Sequence, residues 1–345
     1  MIRTAIIGAN GYTGFELMKL IYNHPMLTLT AAASRSNAGA PIADLYPALG
    51  FAYRDMCFAE PDPDAIAAAA DVVFTALPHA ASADIGGKLH DAGVKVIDLS
   101  ADFRYDDINL YESTYNVTHP RPELNAQAVY GLCEINREKI KKADIVGNPG
   151  CYTTCSILPL YPLLKDGVIS EKGIVIDAAS GITGAGRKAD VGYNYCETAE
   201  SYKAYGVTTH RHTTEIEEKL SFGKERIAVN FTPHLLPIKR GILATIYADL
   251  KEGAESADVE KAYSMYKNEK FAVCLGEGVL PEIKWVAQSN VCAFGYKIDK
   301  KTNKIIIVSA IDNLLKGASG QAVQNLNLMF GLNEECGLPL IGAHL

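Results

Sequence analysis

The sequence predicts an α/β chain in two parts: a doubly wound parallel sheet, then an α+β domain built on a mixed sheet. Three observations predict this. A glycine-rich turn at residues 8–14 joins the first strand pattern to the first helix pattern. Continuous apolar runs at 71–77 and 94–99, of the kind a parallel sheet buries on both faces, follow among helical stretches. From residue 227 onward strand patterns succeed one another, as a mixed or antiparallel sheet requires. The chain has 345 residues, enough for two packed domains. The expected division is 1–148 with 313–345 for the first domain and 149–312 for the second.

Composition narrows the function. Apolar residues make up 48% and charged residues 21%, as in globular proteins. The net charge of −7 comes without a basic block, which argues against nucleic acid as a partner. No apolar run approaches the roughly 20 residues a membrane helix needs. Met1-Ile2-Arg3 leads directly into a strand, so no signal peptide is expected and the cytoplasm is the expected compartment. The eight cysteines lack paired or zinc-ligand spacing, so free thiols in a reducing compartment and no metal are expected.

Arg3 to Ile7 reads as the first strand. Gly8-Ala9-Asn10-Gly11-Tyr12-Thr13-Gly14 follows, and helical spacing resumes from Phe15. A glycine turn there lets backbone approach a pyrophosphate at a helix N-terminus, the Rossmann arrangement. The spacing is G-x-x-G-x-x-G, with Asn10 where the commoner fingerprint has glycine. The second strand, Leu27 to Ala33, ends in Ser34-Arg35-Ser36. An acidic residue here would accept from a ribose 2′-hydroxyl; an arginine between two hydroxyls suits a 2′-phosphate, which favours NADP. The next two strands end in Leu77-Pro78-His79 and Ser100-Ala101-Asp102-Phe103-Arg104, and both segments are expected to face cofactor and substrate. His79 also suits an ordinary surface position. Arg104 suits a phosphate or carboxylate.

The run 143–146 ends in Gly147-Asn148-Pro149-Gly150, after which Ile157, Leu158, Leu160, Tyr161, Leu163 and Leu164 recur at helical spacing. Cys151 therefore begins a helix. Unpaired N–H groups and the helix dipole there stabilise a thiolate, and the same donors suit the oxyanion formed when a carbonyl is attacked. Ser180 to Lys188, after a buried strand, is a glycine-rich loop with Arg187 and Lys188. It suits an anion, with Ser180 and Gly181 as candidate cofactor contacts, or a solvated flexible loop. Thr209-His210-Arg211-His212-Thr213-Thr214-Glu215 precedes a helix that Thr213 or Thr214 is expected to cap. One of the two imidazoles, in reach of Cys151, would act as base and later as acid. Asp312 to Gly320 opens a small-residue helix from Gln321 to about Met329, which suits packing back across the first domain.

The 8–14, 147–152, 210–215 and 312–317 motifs together resemble the N-acetyl-gamma-glutamyl-phosphate reductases of arginine biosynthesis, relatives of aspartate-semialdehyde dehydrogenase. The resemblance runs the length of the chain. It implies NADPH-dependent reduction of N-acetyl-glutamyl 5-phosphate, an acyl phosphate, to the semialdehyde and inorganic phosphate through a Cys151 thioester. It implies a homodimer or homotetramer. His210 and His212 would supply the acid and base. Ser34, Arg35 and Ser36 would meet the 2′-phosphate, and Asn313 would sit near the nicotinamide with Lys316 and Gly317 beside it. Arg104, Asn148, Arg211 and Glu215 are the implied substrate contacts. The sequence departs from the motif at Thr214, where proline is expected. A sibling reductase of another acyl phosphate, such as aspartyl phosphate or a carrier-linked aminoadipyl phosphate, and an NADP-binding thiol sensor remain alternatives.

Overall fold

β1 (Ile2–Ile7), β2 (Leu27–Ala33), β3 (Val72–Thr75), β4 (Lys95–Asp98), β5 (Val129–Tyr130) and β6 (Ile145–Gly147) pair in the order β2-β1-β3-β4-β6-β5. Every pairing is parallel. Their runs of Val, Ile and Ala are buried on both faces, which is why they read as unbroken apolar stretches. The computed structural model describes residues 1–187 and 189–343. Their contacts form two units, Met1–Pro149 with Ala318–Leu338, and Gly150–Gly317 with the residues from Pro339 onward. The chain thus returns to the first unit at Ala318, and Asn313, Lys316 and Gly317 count with the second.

The returning segment is a helix, Gly320–Met329, preceded by a π-helical turn over Leu315–Ser319. All ten helical residues are buried, including four amides. Each amide has at least one hydrogen-bond partner. Gln321 donates to the Gly131 carbonyl at 2.8 Å, Gln324 to Glu134 at 3.0 Å and Asn325 to Asn148 Oδ1 at 3.0 Å; Asn327 Oδ1 lies 3.0 Å from His24 Nε2.

The second unit carries β7 (Ile174–Gly181), β8 (Lys203–Ala204), β9 (Val229–Leu236), β10 (Ile242–Asp249), β11 (Ala272–Glu277), β12 (Cys292–Asp299) and β13 (Lys304–Ile311). The order is β11-β12-β13-β10-β7-β9-β8, with β11/β12 and β7/β9 parallel and the other pairs antiparallel. Burial alternates along β7, β9 and β10, so one face is apolar and closed while the other is partly open. The two-residue strands β5 and β8 are too short for any periodicity and escape sequence reading.

The helix Cys151–Lys165 packs on the closed face of that sheet and buries twelve of its residues. It carries Pro159 and Pro162 in its interior. Pro162 has no N–H, so the Leu158 carbonyl loses its helical donor. The Tyr266 hydroxyl donates to that carbonyl at 2.7 Å, and Tyr263 donates to the Pro159 carbonyl at 3.1 Å. Both tyrosines are buried. Replacing Tyr266 with Phe should therefore cost about 1–2 kcal/mol, because it leaves a buried acceptor unpaired. The measurement is the urea midpoint of the full chain; an unchanged midpoint would mean that the carbonyl finds another donor.

Candidate active site

In the first unit the chain turns at Gly8, whose φ is +86°. A Cβ there would stand 2.3 Å from the Ala76 carbonyl oxygen, just past β3, so only glycine fits. Gly14 is closed in similarly by the Ala9 carbonyl, at 2.5 Å. Gly11 is the N-cap of a helix that starts at Tyr12 and not at Phe15, which places Tyr12, Thr13 and Gly14 in its first turn. Gly11 has no side chain to cap those N–H groups, so they suit an anion. Tyr46 donates its hydroxyl to the Asn10 carbonyl at 2.7 Å and braces the turn. The Asn10 amide reaches Ser36 Oγ at 3.0 Å, tying the turn to the loop after β2. That bond gives a reason for asparagine where glycine is commoner.

Between these loops lies a cleft of 630 Å³ at the point where β1 is flanked by β2 and β3. Ligands of open α/β sheets bind at such a switch point. Gly8, Asn10, Ser34, Arg35, Ser36, Leu77 and Pro78 line it. So do Pro61, Pro63, Asp84, Ile85 and Lys88, which no sequence motif marks. Arg35 and Ser36 are exposed, while Ser34 is buried. His79 is not part of the lining; its ring packs on Tyr115 with centroids 5.1 Å apart. These residues fit a dinucleotide: a cradle that a Cβ would fill, capless helical N–H groups, and a cation beside hydroxyls.

The segment after β4 serves the fold more than the cleft. Asp102 is fully buried and accepts the N–H groups of Ala80, Ser82 and Ala83 at 2.7–3.0 Å, capping the helix Ala83–Asp91 from a distance. Asp98, buried near Asp102, is pushed up to about 6, first by burial and then by that neighbouring charge. Arg104 is buried and donates to the carbonyls of Asn148 at 2.7 Å and Leu99 at 2.9 Å. The Asn148 side chain is held by Asn325 and by the Ala318 carbonyl.

In the second unit Gly150 is the N-cap and Cys151 the first residue of the helix, half-buried. The neighbouring Tyr152 ring touches both imidazoles, with centroids 5.6 Å from His210 and 5.9 Å from His212. His210 and His212 lie 4.9 Å apart. The cluster is completed by Tyr205, whose hydroxyl is 2.9 Å from that of Tyr152, and by Phe231 against His210. The His212 backbone N–H donates to His210 Nδ1 at 3.1 Å, so the neutral His210 ring carries its proton on Nε2. Burial, then the Arg211 charge, lowers His210 to about 4, against a smaller opposing effect of Glu215. Cys155, one turn on, is fully buried on Ser309 with its thiol pushed up by burial, which leaves it inert as a nucleophile.

The helix after the histidines begins at His212 itself, with exposed Arg211 at the N-cap. The expected Thr213 or Thr214 cap is thus corrected. The Thr214 hydroxyl instead bonds back to the Arg211 carbonyl at 3.0 Å. Glu215 is fully buried and accepts from the Gly150 N–H and from Thr153 Oγ1, each at 3.0 Å.

The glycine loop after β7 is partly anchored. Ile182 and Thr183 donate their N–H groups to the Ile238 and Lys239 carbonyls, and Gly181 packs on Arg240 so closely that a Cβ would stand 2.7 Å from its nitrogen. The Ser180 hydroxyl turns onto the Gly181 carbonyl. Arg187 is exposed, and Lys188 lies outside the described residues. Asn313 accepts from the Gly241 N–H at 2.7 Å and donates to Thr183 at 3.0 Å. Lys316 is fully buried, its ammonium 5.8 Å from the centre of the Phe271 ring. Gly317 runs against Cys151, where a Cβ would stand 2.9 Å from the cysteine's own. Arg240 forms a bidentate pair with buried Asp312 at 2.7 and 3.0 Å.

Family models match both parts: "Semialdehyde dehydrogenase, NAD binding domain" over residues 3–143 and "Semialdehyde dehydrogenase, dimerisation domain" over 151–313. The protein named N-acetyl-gamma-glutamyl-phosphate reductase from Acetivibrio thermocellus is 51% identical, covering 100% of each chain. This chain belongs to the N-acetyl-gamma-glutamyl-phosphate reductase family. The family's protein of the same name from Halothermothrix orenii is 48% identical over 99% of each chain. The solved aspartate semialdehyde dehydrogenase II of Vibrio cholerae shares the fold, with a TM-score of 0.71 over 96% of this chain and 99% of that one, at 18% identity. Residues 3–143 of this reductase-family chain form a nicotinamide-cofactor-binding domain. No helix among the described residues is long and apolar enough to cross a membrane.

The half-buried, neutral His210 of this family member makes stability depend on pH. Its folded value of about 4 lies below the ordinary 6.5, so between those values the unfolded chain binds more protons. Stability from this ring is intact above pH 6.5 and is lost as pH falls toward 4, by at most ~3 kcal/mol. His210→Asn should flatten that part of the stability–pH curve, measured by urea unfolding. An equal acid-side loss in the variant would place the burden elsewhere.

Proposed function

We propose that this chain reduces N-acetyl-glutamyl 5-phosphate to N-acetyl-glutamate 5-semialdehyde, releasing inorganic phosphate, in the cytoplasmic synthesis of arginine. The observation that carries the reading is a half-buried cysteine at the first residue of a capless helix, with two imidazoles packed on the very next side chain. The proposed cofactor is NADPH in preference to NADH, supported by Ser34, Arg35 and Ser36 on the cleft wall, where the end of β2 carries an arginine in place of an acidic residue. Gly8, Asn10 and the first turn at Gly11–Gly14 would hold its pyrophosphate.

In the proposed mechanism the Cys151 thiolate attacks the acyl carbon. The carbon–oxygen bond to phosphate breaks, phosphate carries away the electron pair, and a thioester remains on Cys151. The N–H groups at the start of the helix stabilise the oxyanion formed on the way. Bound NADPH would supply hydride to the thioester carbon; the carbon–sulfur bond then breaks, Cys151 leaves as thiolate with the electron pair, and the semialdehyde is released. The imidazole pair moves the protons: neutral His210 presents Nε2–H toward developing negative charge, and His212 is its partner in exchange. Arg211, the exposed cation of the cluster, is the proposed partner for the substrate's carboxylate. The partly open face of the β7–β13 sheet supports a homodimer, with a homotetramer as the larger alternative.

Oxidation of NADPH, followed by absorbance over a panel of acyl phosphates, tests the reading. N-acetyl-glutamyl phosphate should be consumed fastest, and faster with NADPH than with NADH. Cys151→Ser should lose turnover by a factor of at least ~10³ while binding NADPH normally. Preference for aspartyl phosphate or a carrier-linked substrate would assign a sibling activity. Comparable turnover in the serine variant would reject the nucleophile.

A further inference from the structure

The helix that presents Cys151 has no cap of its own. Its N-cap is Gly150, which has no side chain to offer, and the first helical N–H groups have no acceptor within the helix. A carboxylate from another helix fills part of this role. Glu215, in the helix His212–Leu220, is completely shielded from solvent. One of its oxygens accepts both the Gly150 N–H and the Thr153 hydroxyl, at 3.0 Å each. Thr153 Oγ1 also lies 2.6 Å from the Gly150 carbonyl, so its one proton is shared between that carbonyl and the carboxylate. A carboxylate is costly to bury unless it is fully engaged, and this one is engaged on the turn that aims the nucleophile. His210 and His212 stand on the same short segment, three and five residues before it.

We infer that Glu215 is a positioning residue, whose buried carboxylate fastens the Gly150–Cys151 turn to the segment that carries the imidazole pair and so sets the sulfur against its acid and base. Glu215 does not touch the reacting atoms. It takes the Gly150 N–H out of the set of donors open to the thiolate and leaves that role to N–H groups further into the first turn. One of its oxygens lies 3.0 Å from the nitrogen of the residue before Cys151, so its charge opposes the thiolate that the bond helps to aim. This assignment rests on the reductase reading for its turnover test, and it replaces the contact with substrate that the sequence motif implies for Glu215.

The test compares Glu215→Ala, Glu215→Gln and Thr153→Val in the full-length chain. Two quantities are read: steady-state reduction of N-acetyl-glutamyl phosphate, and the pH dependence of Cys151 alkylation by iodoacetamide. Glu215→Ala should lower kcat by about 10²-fold, with KM for the acyl phosphate and binding of NADPH within about twofold of wild type. Glu215→Gln keeps an acceptor oxygen and loses the charge. It should recover kcat to within about tenfold, and its alkylation midpoint should move to lower pH by roughly half a unit or more. Thr153→Val should fall between the two in kcat. If the alanine variant does not fold, the glutamine and valine variants decide alone.

An alkylation profile unchanged in Glu215→Gln, together with wild-type kcat in Thr153→Val, would overturn the inference. A rise in KM at constant kcat would overturn it in favour of direct contact with the substrate. Alkylation needs no turnover, so a wild-type chain that fails to reduce the acyl phosphate would refute the proposed function while leaving the Glu215 comparison readable.

Discussion

A nucleophile at the first residue of a helix is aimed only as well as that helix is held. The Cys151–Lys165 helix is held by burial: twelve of its residues are shielded on the closed face of a seven-stranded sheet. Two internal prolines would weaken most helices by ~3 kcal/mol each. Here Tyr263 and Tyr266 supply donors to the carbonyls of Pro159 and Leu158 near the breaks. At the other end Gly317 passes so close to Cys151 that a single methyl group would collide with it. The sulfur is therefore confined from the sheet, from the turn and from the 312–317 loop, itself fastened by Asp312 to Arg240 and to the N–H groups of Leu314 and Leu315.

One device recurs within each unit. The Ala83–Asp91 helix and the Cys151–Lys165 helix both start without a side-chain cap from their own N-cap residue. Each receives a buried carboxylate from elsewhere in its unit, Asp102 in one case and Glu215 in the other. A remote acid at a helix N-terminus satisfies backbone donors and complements the dipole, and it also ties two chain segments together. In both cases the tied segments border the residues on which the proposed chemistry depends.

Much of this was legible in the sequence because it is local. The strand–glycine turn–helix at residues 2–23, the start of a helix at Cys151 and the paired histidines each declare themselves within a dozen residues. The match to semialdehyde dehydrogenase domains agrees with the fold class and the reductase reading drawn from those motifs. What was illegible is what depends on distant partners. Asp102 read as a face toward ligand and is a helix cap; no motif marks the ion pair that Arg240 closes with buried Asp312. Pro61, Pro63 and Lys88 line the cleft only because the sheet order brings their loops beside β1. The helix at His212 ignores its two threonines, since burial of Glu215 and Ile216 sets its start more firmly than a local cap does.

The central claim is that the sulfur of Cys151 carries the acyl group between loss of phosphate and reduction. Mixing the protein with N-acetyl-glutamyl phosphate in the absence of any nicotinamide, then quenching in acid, tests it most directly. Release of about one equivalent of phosphate per chain, with the acyl mass found on the peptide containing Cys151, is the expected result. No phosphate without reductant, or an acyl group found on another residue, would contradict it.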